Sequence, residues 1–263
     1  MIRAMFTAAT GMIGQQLHVD TIANNLANVN TTGFKKSRVN FQDLIYETLK
    51  PAGTETAAGQ LVPEGIQVGH GVRPSSISKL FTPGNFVQTG NPLDVAIEGD
   101  GFFQITLPDG TTAYTRDGSF KLDANGQVVT ADGYLLEPAI VVPTDYVQIV
   151  IGSDGVVSAL VANQTAPQNV GEIQLVRFVN PSGLDARLGR NLLTETDASG
   201  TPIAGQPGQD GLGTLEQGFL ESSNVQVVEE IINLILAQRA YEASSRVITS
   251  SDEMLQTANN IRR

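Results

Sequence analysis

The chain has 263 residues, and 41% of them are hydrophobic, which is enough to build a core and argues against global disorder. Its 16 Lys and Arg stand against 27 Asp and Glu, a formal net charge of −11, which argues against binding to nucleic-acid phosphates or to an anionic membrane surface. There is no cysteine, and the only histidines are His18 and His70. Thiolate metal sites, Fe–S clusters, a cysteine nucleophile and multi-histidine sites are therefore excluded, and we expect no metal and no cofactor.

The first segment of the chain predicts a helix. Apolar residues recur every seven positions, at Met5, Met12, Val19 and Leu26, which is typical of a helical seam. Gly33 follows the turn-forming Asn30-Thr31-Thr32 and is the predicted C-cap. Gly11 and Gly14 each cost about 1 kcal/mol relative to Ala in a helix. We therefore expect this helix to depend on packing partners.

The middle of the chain predicts β-hairpins. Asp-Gly and Asn-Gly pairs, which favour tight turns, occur at Asp109-Gly110, Asp117-Gly118, Asn125-Gly126, Asp132-Gly133 and Asp154-Gly155. Short strand-like runs separate them, and residues 147–151 and 173–178 alternate as half-buried strands do. Residues 50–65 and 194–213 are rich in Gly, Pro, Thr and Ala and predict loops.

The last segment predicts a longer helix. Heptad positions are occupied by Val227, Leu234, Tyr241, Ile248 and Leu255, and Val228, Ile231 and Ile235 widen the stripe near its start. Ser223 with Gln226 resembles a capping box, which predicts where the helix begins. A helix of about 38 residues would be about 57 Å long. That length favours a coiled coil or a helical array.

These elements predict an α+β protein in which long N- and C-terminal helices pair as a coiled coil around a β-rich middle. The predicted domains are residues 1–36 with 224–263 as a helical core, 37–80 as a connecting extended or loop segment, and 81–223 as a β-rich outer domain. No stretch approaches the roughly 18–20 apolar residues of a transmembrane helix, so we expect no membrane insertion.

Residues that could support catalysis are few. Asp123-Ala124-Asn125-Gly126 resembles part of a calcium loop, but Tyr134 stands where the terminal Glu would be needed, so a hairpin turn is favoured. Gly69-His70-Gly71 does not match a phosphate-binding motif. His18 is expected to be a packed or solvated helix residue and His70 a loop residue. We therefore predict no catalytic residue.

An asparagine cluster near residue 25 is the most unusual local feature. Asn24 and Asn28 share a helix face, and Asn25 lies beside them in a segment of small and apolar residues. One interpretation is an exposed polar face. The other is a buried amide network between neighbouring subunits, which would fix the register of helix packing at some cost in stability.

Several blocks together resemble one known family. They are residues 23–35 (ANNLANVNTTGFK), 91–103 (NPLDVAIEGDGFF), 114–120 (YTRDGSF), 221–225 (ESSNV), 228–231 (VEEI) and 238–242 (QRAYE). In this order they resemble the signatures of the bacterial flagellar rod and hook family over essentially the whole chain. Residues 41–44 and 65–74, and the overall length, are most similar to the distal rod branch of that family.

The resemblance implies a structural subunit, not an enzyme. Such a subunit is exported without a cleaved signal through the flagellar type III apparatus. It polymerises with identical copies into a helical tube, and its β-rich part faces outward. The implied partners are the proximal rod proteins, the hook protein and the ring bushing proteins.

We expect the subunit interface to involve the heptad rows, the asparagine cluster and the residues that follow it. The predicted interface residues are Met5, Met12, Val19, Asn24, Asn25, Leu26, Asn28, Gly33, Phe34, Val227, Ile231, Leu234, Gln238, Tyr241, Ile248 and Leu255. We further expect residues 1–30 and about 225–263 to be poorly ordered before assembly, because their apolar stripes lack a partner. Residues 46–66 are expected to form a lateral brace in the polymer.

Three alternatives remain open from the residues. They are another axial member of the same family, a secreted β-rich adhesin with ordered ends, and a peptidoglycan-cleaving enzyme with a perturbed carboxylate pair.

Overall fold

The computed structural model describes residues 2–53, 55–57, 60–61, 63–162 and 166–261. The chain forms two compact units. The helical unit comprises Met1–Ala27, Ser37–Ser78 and Gln226–Arg263, and the β unit comprises Asn28–Lys36 and Lys79–Val225. The predicted α+β class, with a helix near each end and strands between, is confirmed. Residues 37–78 group with the helices, and residues 28–36 group with the strands.

Two long helices run antiparallel in the helical unit. They are α1 (Ile2–Ala27) and α2 (Val227–Ile261). Asn25, late in α1, donates a hydrogen bond to Glu230, early in α2, over 3.2 Å. Gly11, early in α1, lies against Ser244 further along α2, so the two chain directions are opposed. At 1.5 Å per residue, α1 is about 39 Å long and α2 about 52 Å.

The end of α1 and the start of α2 differ from the sequence prediction. Helix α1 ends at Ala27 rather than at Gly33. Gly33 does have the left-handed backbone of a C-cap (φ 67°), but its N–H donates to the Glu221 carbonyl over 2.8 Å instead of closing a helical turn. The predicted capping box is also wrong, because the first helical hydrogen bond runs from the Glu230 N–H to the Gln226 carbonyl (3.0 Å).

The strands of the helical unit form successive antiparallel pairs along one excursion of the chain. They are β1 (Ser37–Asp43), β2 (Tyr46–Lys50), β3 (Glu55–Ala57), β4 (Gln60–Leu61), β5 (Ile66–Gly69) and β6 (Val72–Lys79). Strand β1 pairs with β6, β2 with β5 and β3 with β4, which is the order of a long hairpin. Strands therefore occupy part of the predicted loop 50–65. Residues 54, 58, 59 and 62 of the predicted brace lie outside the described residues.

Close packing explains one of the unfavourable glycines of α1. Gly14 is buried, and a Cβ there would lie 3.1 Å from Cε1 of Phe41 on β1. A larger residue would push the helix away from the strand. The loss of helix stability that the sequence predicts for this glycine is therefore offset by the close approach of α1 to β1 that it permits.

The β unit is built around a seven-stranded sheet and smaller sheets. Its strands are β7 (Phe86–Gln88), β8 (Val95–Glu98), β9 (Phe102–Thr106), β10 (Thr112–Thr115), β11 (Lys121–Leu122), β12 (Val128–Val129), β13 (Leu135–Glu137), β14 (Tyr146–Ile151), β15 (Val156–Val161), β16 (Gln168–Glu172), β17 (Leu175–Arg177), β18 (Ile203–Gly205), β19 (Thr214–Gln217) and β20 (Phe219–Glu221). The large sheet has the order β11-β12-β13-β9-β17-β18, with β10 also paired to β9. Strands β14, β15 and β16 form a meander, while β19 pairs with β8 and β20 with β7. A short 3-10 helix spans Pro181–Gly183.

Successive residues of β9 belong to two hydrophobic clusters. Phe103 is fully buried in the larger cluster, where its ring packs edge-on against Phe120 with centroids 5.0 Å apart. Phe102 belongs to the smaller cluster with Tyr114 and Phe178. This alternation follows from the two-residue period of a strand.

Four of the five predicted hairpin turns are confirmed. The glycines at 110, 126, 133 and 155 all have positive φ and lie between antiparallel strand partners. The prediction for Asp117-Gly118 is wrong. Gly118 accepts a hydrogen bond from the Val95 N–H (3.1 Å), and a Cβ there would overlap the Val95 carbonyl. This glycine permits contact with a distant strand rather than a tight turn.

Candidate subunit interface

The predicted heptad row of α2 lies largely on the side that α1 covers. Leu234, Ile248 and Leu255 are half-buried. The row three residues further on contains the buried Glu230, Ala237 and Ser251, and also Ser244, which contacts α1. Val227 and Tyr241 of the predicted row stay exposed, as do Ile231 and Gln238. Much of the row is therefore occupied by pairing within one chain.

The corresponding row of α1 has a similar environment. Met5, Met12, Val19 and Leu26 are all half-buried, and Ala8 and Ile22 beside them are buried. Both sets of heptad positions thus contribute to a helix pair inside the helical unit. That the pair has coiled-coil geometry stays a prediction.

The asparagine cluster divides between buried and exposed positions. Asn25 is 2% exposed. Its Oδ1 accepts the Ser37 N–H (2.9 Å), and its Nδ2 donates to the Ser37 carbonyl (2.9 Å) and to Glu230 Oε2. Asn24 is exposed, and Asn28 is half-buried, with its Oδ1 accepting a hydrogen bond from Thr31 (3.2 Å). The network around Asn25 therefore joins α1, β1 and α2 of the same chain.

Gly33 and Phe34 are covered inside the β unit. A Cβ on Gly33 would lie 2.8 Å from the Arg116 carbonyl carbon and 2.8 Å from the Asp117 nitrogen. Phe34 is buried, and the Lys79 ammonium lies 5.3 Å from its ring centroid. The interface role predicted for these two residues stays untested.

Large apolar side chains outside the heptad rows remain exposed on both helices. Surface 1 lies on the first half of α1 and consists of Ile2, Phe6 and Ile13. Surface 2 lies on the first ten residues of α2 and consists of Val228, Ile231, Ile232, Ile235 and Leu236. Phe6 is 68% and Val228 71% exposed. Beyond surface 2, exposed large apolar residues on α2 are sparser, at Tyr241, Val247 and Met254, and they alternate with charged residues such as Arg239, Glu242 and Arg246.

The two surfaces lie at opposite ends of the helix pair. Because Asn25 contacts Glu230, surface 2 lies near the end of α1, whereas surface 1 lies near its beginning. At 1.5 Å per residue their centres are about 24 Å apart along the pair. Sequence analysis missed Ile2, Phe6, Ile13, Ile232 and Leu236. They could have been found because they are apolar residues outside the heptad rows, at positions where the outer face of a surface helix is ordinarily polar.

The histidines and the candidate turn carboxylates have local structural contacts. His18 packs edge-on against Phe41 with ring centroids 6.0 Å apart, and His70 Nε2 lies 4.0 Å from Glu47. Asp123 accepts the N–H groups of Gln127 (2.9 Å) and Asn125 (2.8 Å), and these bonds hold the pKa of its carboxyl below the ordinary value. The resemblance of this segment to a calcium loop is thus the geometry of a turn. Among the described residues, no group of three or more His, Asp or Glu could hold a metal ion.

No helix in the described part of the chain is both long and apolar enough to cross a membrane.

Three family models match three separate parts of the chain. Residues 5–35 match the model described as "Flagella basal body rod protein". Residues 96–159 match "Flagellar hook protein FlgE/F/G D1 domain", and residues 216–261 match "Flagellar basal body rod FlgEFG protein C-terminal".

Curated relatives match over their full length. The flagellar basal-body rod protein FlgG of Borreliella burgdorferi is 52% identical over 265 residues, which is 100% of both chains. The FlgG of Caulobacter vibrioides is 47% identical over 262 residues, covering 99% of this chain and 100% of the relative. The FlgG of Bacillus subtilis is 44% identical over 270 residues and 100% of both chains.

Proposed function

This chain belongs to the FlgG family of flagellar basal-body rod proteins, and we propose that it builds the distal rod by joining surface 1 of one subunit to surface 2 of the next. Its function as a structural rod subunit follows from the family. What we propose is how the helical units of neighbouring subunits contact one another in the rod. The separation of two apolar surfaces on one helix pair is the observation on which the proposal depends.

Two different surfaces favour an open assembly. A contact between unlike patches is heterologous, and such contacts propagate into a helix unless a rotation closes them into a ring. The eight large apolar side chains are already partly covered, so further burial contributes roughly 1 kcal/mol each, or about 8 kcal/mol together. Association costs an estimated 4–15 kcal/mol or more. A single contact is therefore weak, and a subunit needs several neighbours at the growing end.

The remaining features of the assembled subunit belong to the same proposal. The paired helices form the inner tube as a coiled coil, and the β unit faces outward. The subunit leaves the cell through the flagellar type III apparatus without a cleaved signal, and the rod contacts the proximal rod, the hook and the ring bushing proteins. Assembly completes the ordering of both helices, whose exposed apolar residues gain partners.

Residues 46–66 form the lateral brace in this proposal. Within and beside the β2–β5 pair, Ile45 is 80% exposed, and Tyr46, Leu49 and Ile66 are each more than half exposed. Such a strand pair gains apolar contacts when it lies against a neighbouring subunit. Deleting residues 46–66 should give a rod of lower bending stiffness, measured as the persistence length of assembled tubes in electron micrographs; an unchanged persistence length would exclude the brace.

The assembly surface is tested with one charge placed in surface 2. Ile235→Asp adds a carboxylate where the proposed contact would bury it. Thr249→Asp is the matched control, because it adds the same charge to an exposed α2 position two heptads later. Leu234→Asp is less informative, because Leu234 is half-buried within the chain and its replacement also perturbs the helix pair.

Each variant replaces the chromosomal copy, and basal bodies are isolated and examined by electron microscopy. We expect Ile235→Asp to stop growth before the distal rod and abolish swimming, whereas Thr249→Asp swims. Purified variants should have the far-UV circular dichroism and melting temperature of the parent chain. Distal rods of normal length and number from Ile235→Asp would refute the proposed contact.

A further inference from the structure

Three charged side chains are buried together in the β unit. Glu221, at the end of β20, has its Oε1 2.6 Å from Lys35 Nζ and its Oε2 3.0 Å from Arg116 Nε. The three side chains are only 1%, 3% and 5% exposed, respectively. Glu221 follows Lys35 by 186 positions and Arg116 by 105. We call these residues the buried triad.

The buried triad has hydrogen-bond partners but only one negative charge. Lys35 Nζ also donates to the Thr82 carbonyl (2.9 Å), and Arg116 donates to the Gly101 carbonyl (2.6 Å). Burial by itself would raise the pKa of the Glu221 carboxyl, but the two cations outweigh it and hold that pKa below the ordinary value. The carboxylate is thus the direct counter-ion of two buried cations. Removing one partner of such a cluster is far more costly than replacing the whole cluster.

The segment that contains Glu221 also joins the points where the chain enters and leaves the β unit. The Gly33 N–H donates to the Glu221 carbonyl (2.8 Å), and the Lys36 N–H donates to Asn224 Oδ1 (2.7 Å). Asn224 in turn donates to the Leu80 carbonyl (2.9 Å), and the Leu80 N–H donates to the Lys36 carbonyl (2.9 Å). Gly33, Lys36 and Leu80 are therefore all hydrogen-bonded to residues 221–224.

We propose that residues 219–225 are a latch that closes the β unit only after the end of the chain has arrived. Without Glu221, docking residues 28–36 would bury Lys35 and Arg116 without the carboxylate that contacts both of them. The entry segment therefore stays undocked while the first 218 residues emerge, since chains are synthesised from the N-terminus. The latch concerns the folding of the β unit alone and does not rest on the proposed function.

The test uses the purified full-length chain, so it does not depend on rod assembly. Hydrogen exchange is measured by mass spectrometry for peptides covering residues 28–36 and 79–86 in the parent chain and in four variants. The variants are Glu221→Gln, Lys35→Met, the double variant, and the control Asp185→Asn, which removes the carboxylate of the Asp185–Arg187 pair in the same unit, where Asp185 is half-buried and Arg187 exposed. Glu221→Gln should speed exchange in both peptides by about 10²- to 10³-fold, the effect of leaving buried charges unpaired.

The double variant distinguishes two causes of faster exchange in Glu221→Gln: unpaired buried charge and the loss of the side-chain contacts of Glu221. The double variant leaves Arg116 as the one unpaired buried cation in place of two. Its exchange should therefore be at least about tenfold slower than that of Glu221→Gln. The latch is refuted if Glu221→Gln exchanges like Asp185→Asn, or if the double variant exchanges as fast as Glu221→Gln alone.

The order of events in the parent chain gives a second test that needs no variant. In pulse-labelled refolding, residues 28–36 should gain protection together with residues 219–225. Protection of residues 28–36 before residues 219–225 would overturn the proposal even if every substituted chain failed to fold.

Discussion

Gly33→Ala measures how much a single added methyl group lowers the free energy of unfolding at a crowded turn of the β unit. Gly33 has φ 67°, a left-handed backbone that costs about 1 kcal/mol more for alanine than for glycine. The new Cβ would also lie 2.8 Å from two backbone atoms, which cannot move aside as a flexible side chain can. Overpacking of this kind adds about 1–3 kcal/mol. We therefore expect a total loss of about 2–4 kcal/mol in the free energy of unfolding.

A second glycine supplies the control for this variant. Gly189 has the same φ of 67°, but a Cβ there meets nothing within 4 Å. Gly189→Ala should therefore lose only the backbone contribution of about 1 kcal/mol. Urea unfolding of the two full-length variants, followed by near-UV circular dichroism of the tyrosines, measures the difference between them. Equal losses of stability would refute the steric reasoning, because the backbone conformations are matched.

Further predictions concern the core, the asparagine network and acid stability. Phe103→Ala, at a fully buried ring, should lower the free energy of unfolding in urea by about 3–5 kcal/mol, whereas Val87→Ala, at an exposed residue, should change it by less than about 1 kcal/mol. Asn25→Leu leaves both backbone groups of Ser37 without their side-chain partner. The free energy of unfolding, followed by the far-UV circular dichroism of the helices, should therefore fall by about 2–4 kcal/mol. Because the folded-state pKa of Glu221 is lowered, its stabilisation is complete above the ordinary value of 4.5 and is lost as the pH falls through the lowered value. Acid titration of the β-unit signal should show this loss below pH 4.5, and stability that rose on acidification would contradict it.

Short sequence motifs predicted the structure correctly where residues adjacent in the sequence determine the backbone conformation. Asp109-Gly110 and Asn125-Gly126 form hairpin turns because a turn needs only a positive φ and a few adjacent residues. Gly118 has the same sequence signal but serves the approach of Val95, a residue on another strand. A pair of adjacent residues cannot distinguish these two uses of glycine.

The candidate interface was predicted less well, because periodicity identifies an apolar face but does not show which element packs against it. Leu234 and Ile248 lie in the predicted row, yet they are already half-buried within one chain, in which α2 packs against α1. Ile232 and Leu236 lie off that row and remain exposed. An apolar stripe in a sequence thus shows what must be covered, not which helix covers it.

The sequence alone determined the α+β class, the two long helices, most of the hairpin turns and the family resemblance, because these depend on periodicity and on short blocks of residues. Only the tertiary structure decided which apolar faces are left over after the helices pair, and that Lys35, Arg116 and Glu221 meet in one buried cluster. The physical reason is distance along the chain: the charges that neutralise one another are more than a hundred residues apart, and no local pattern encodes their pairing.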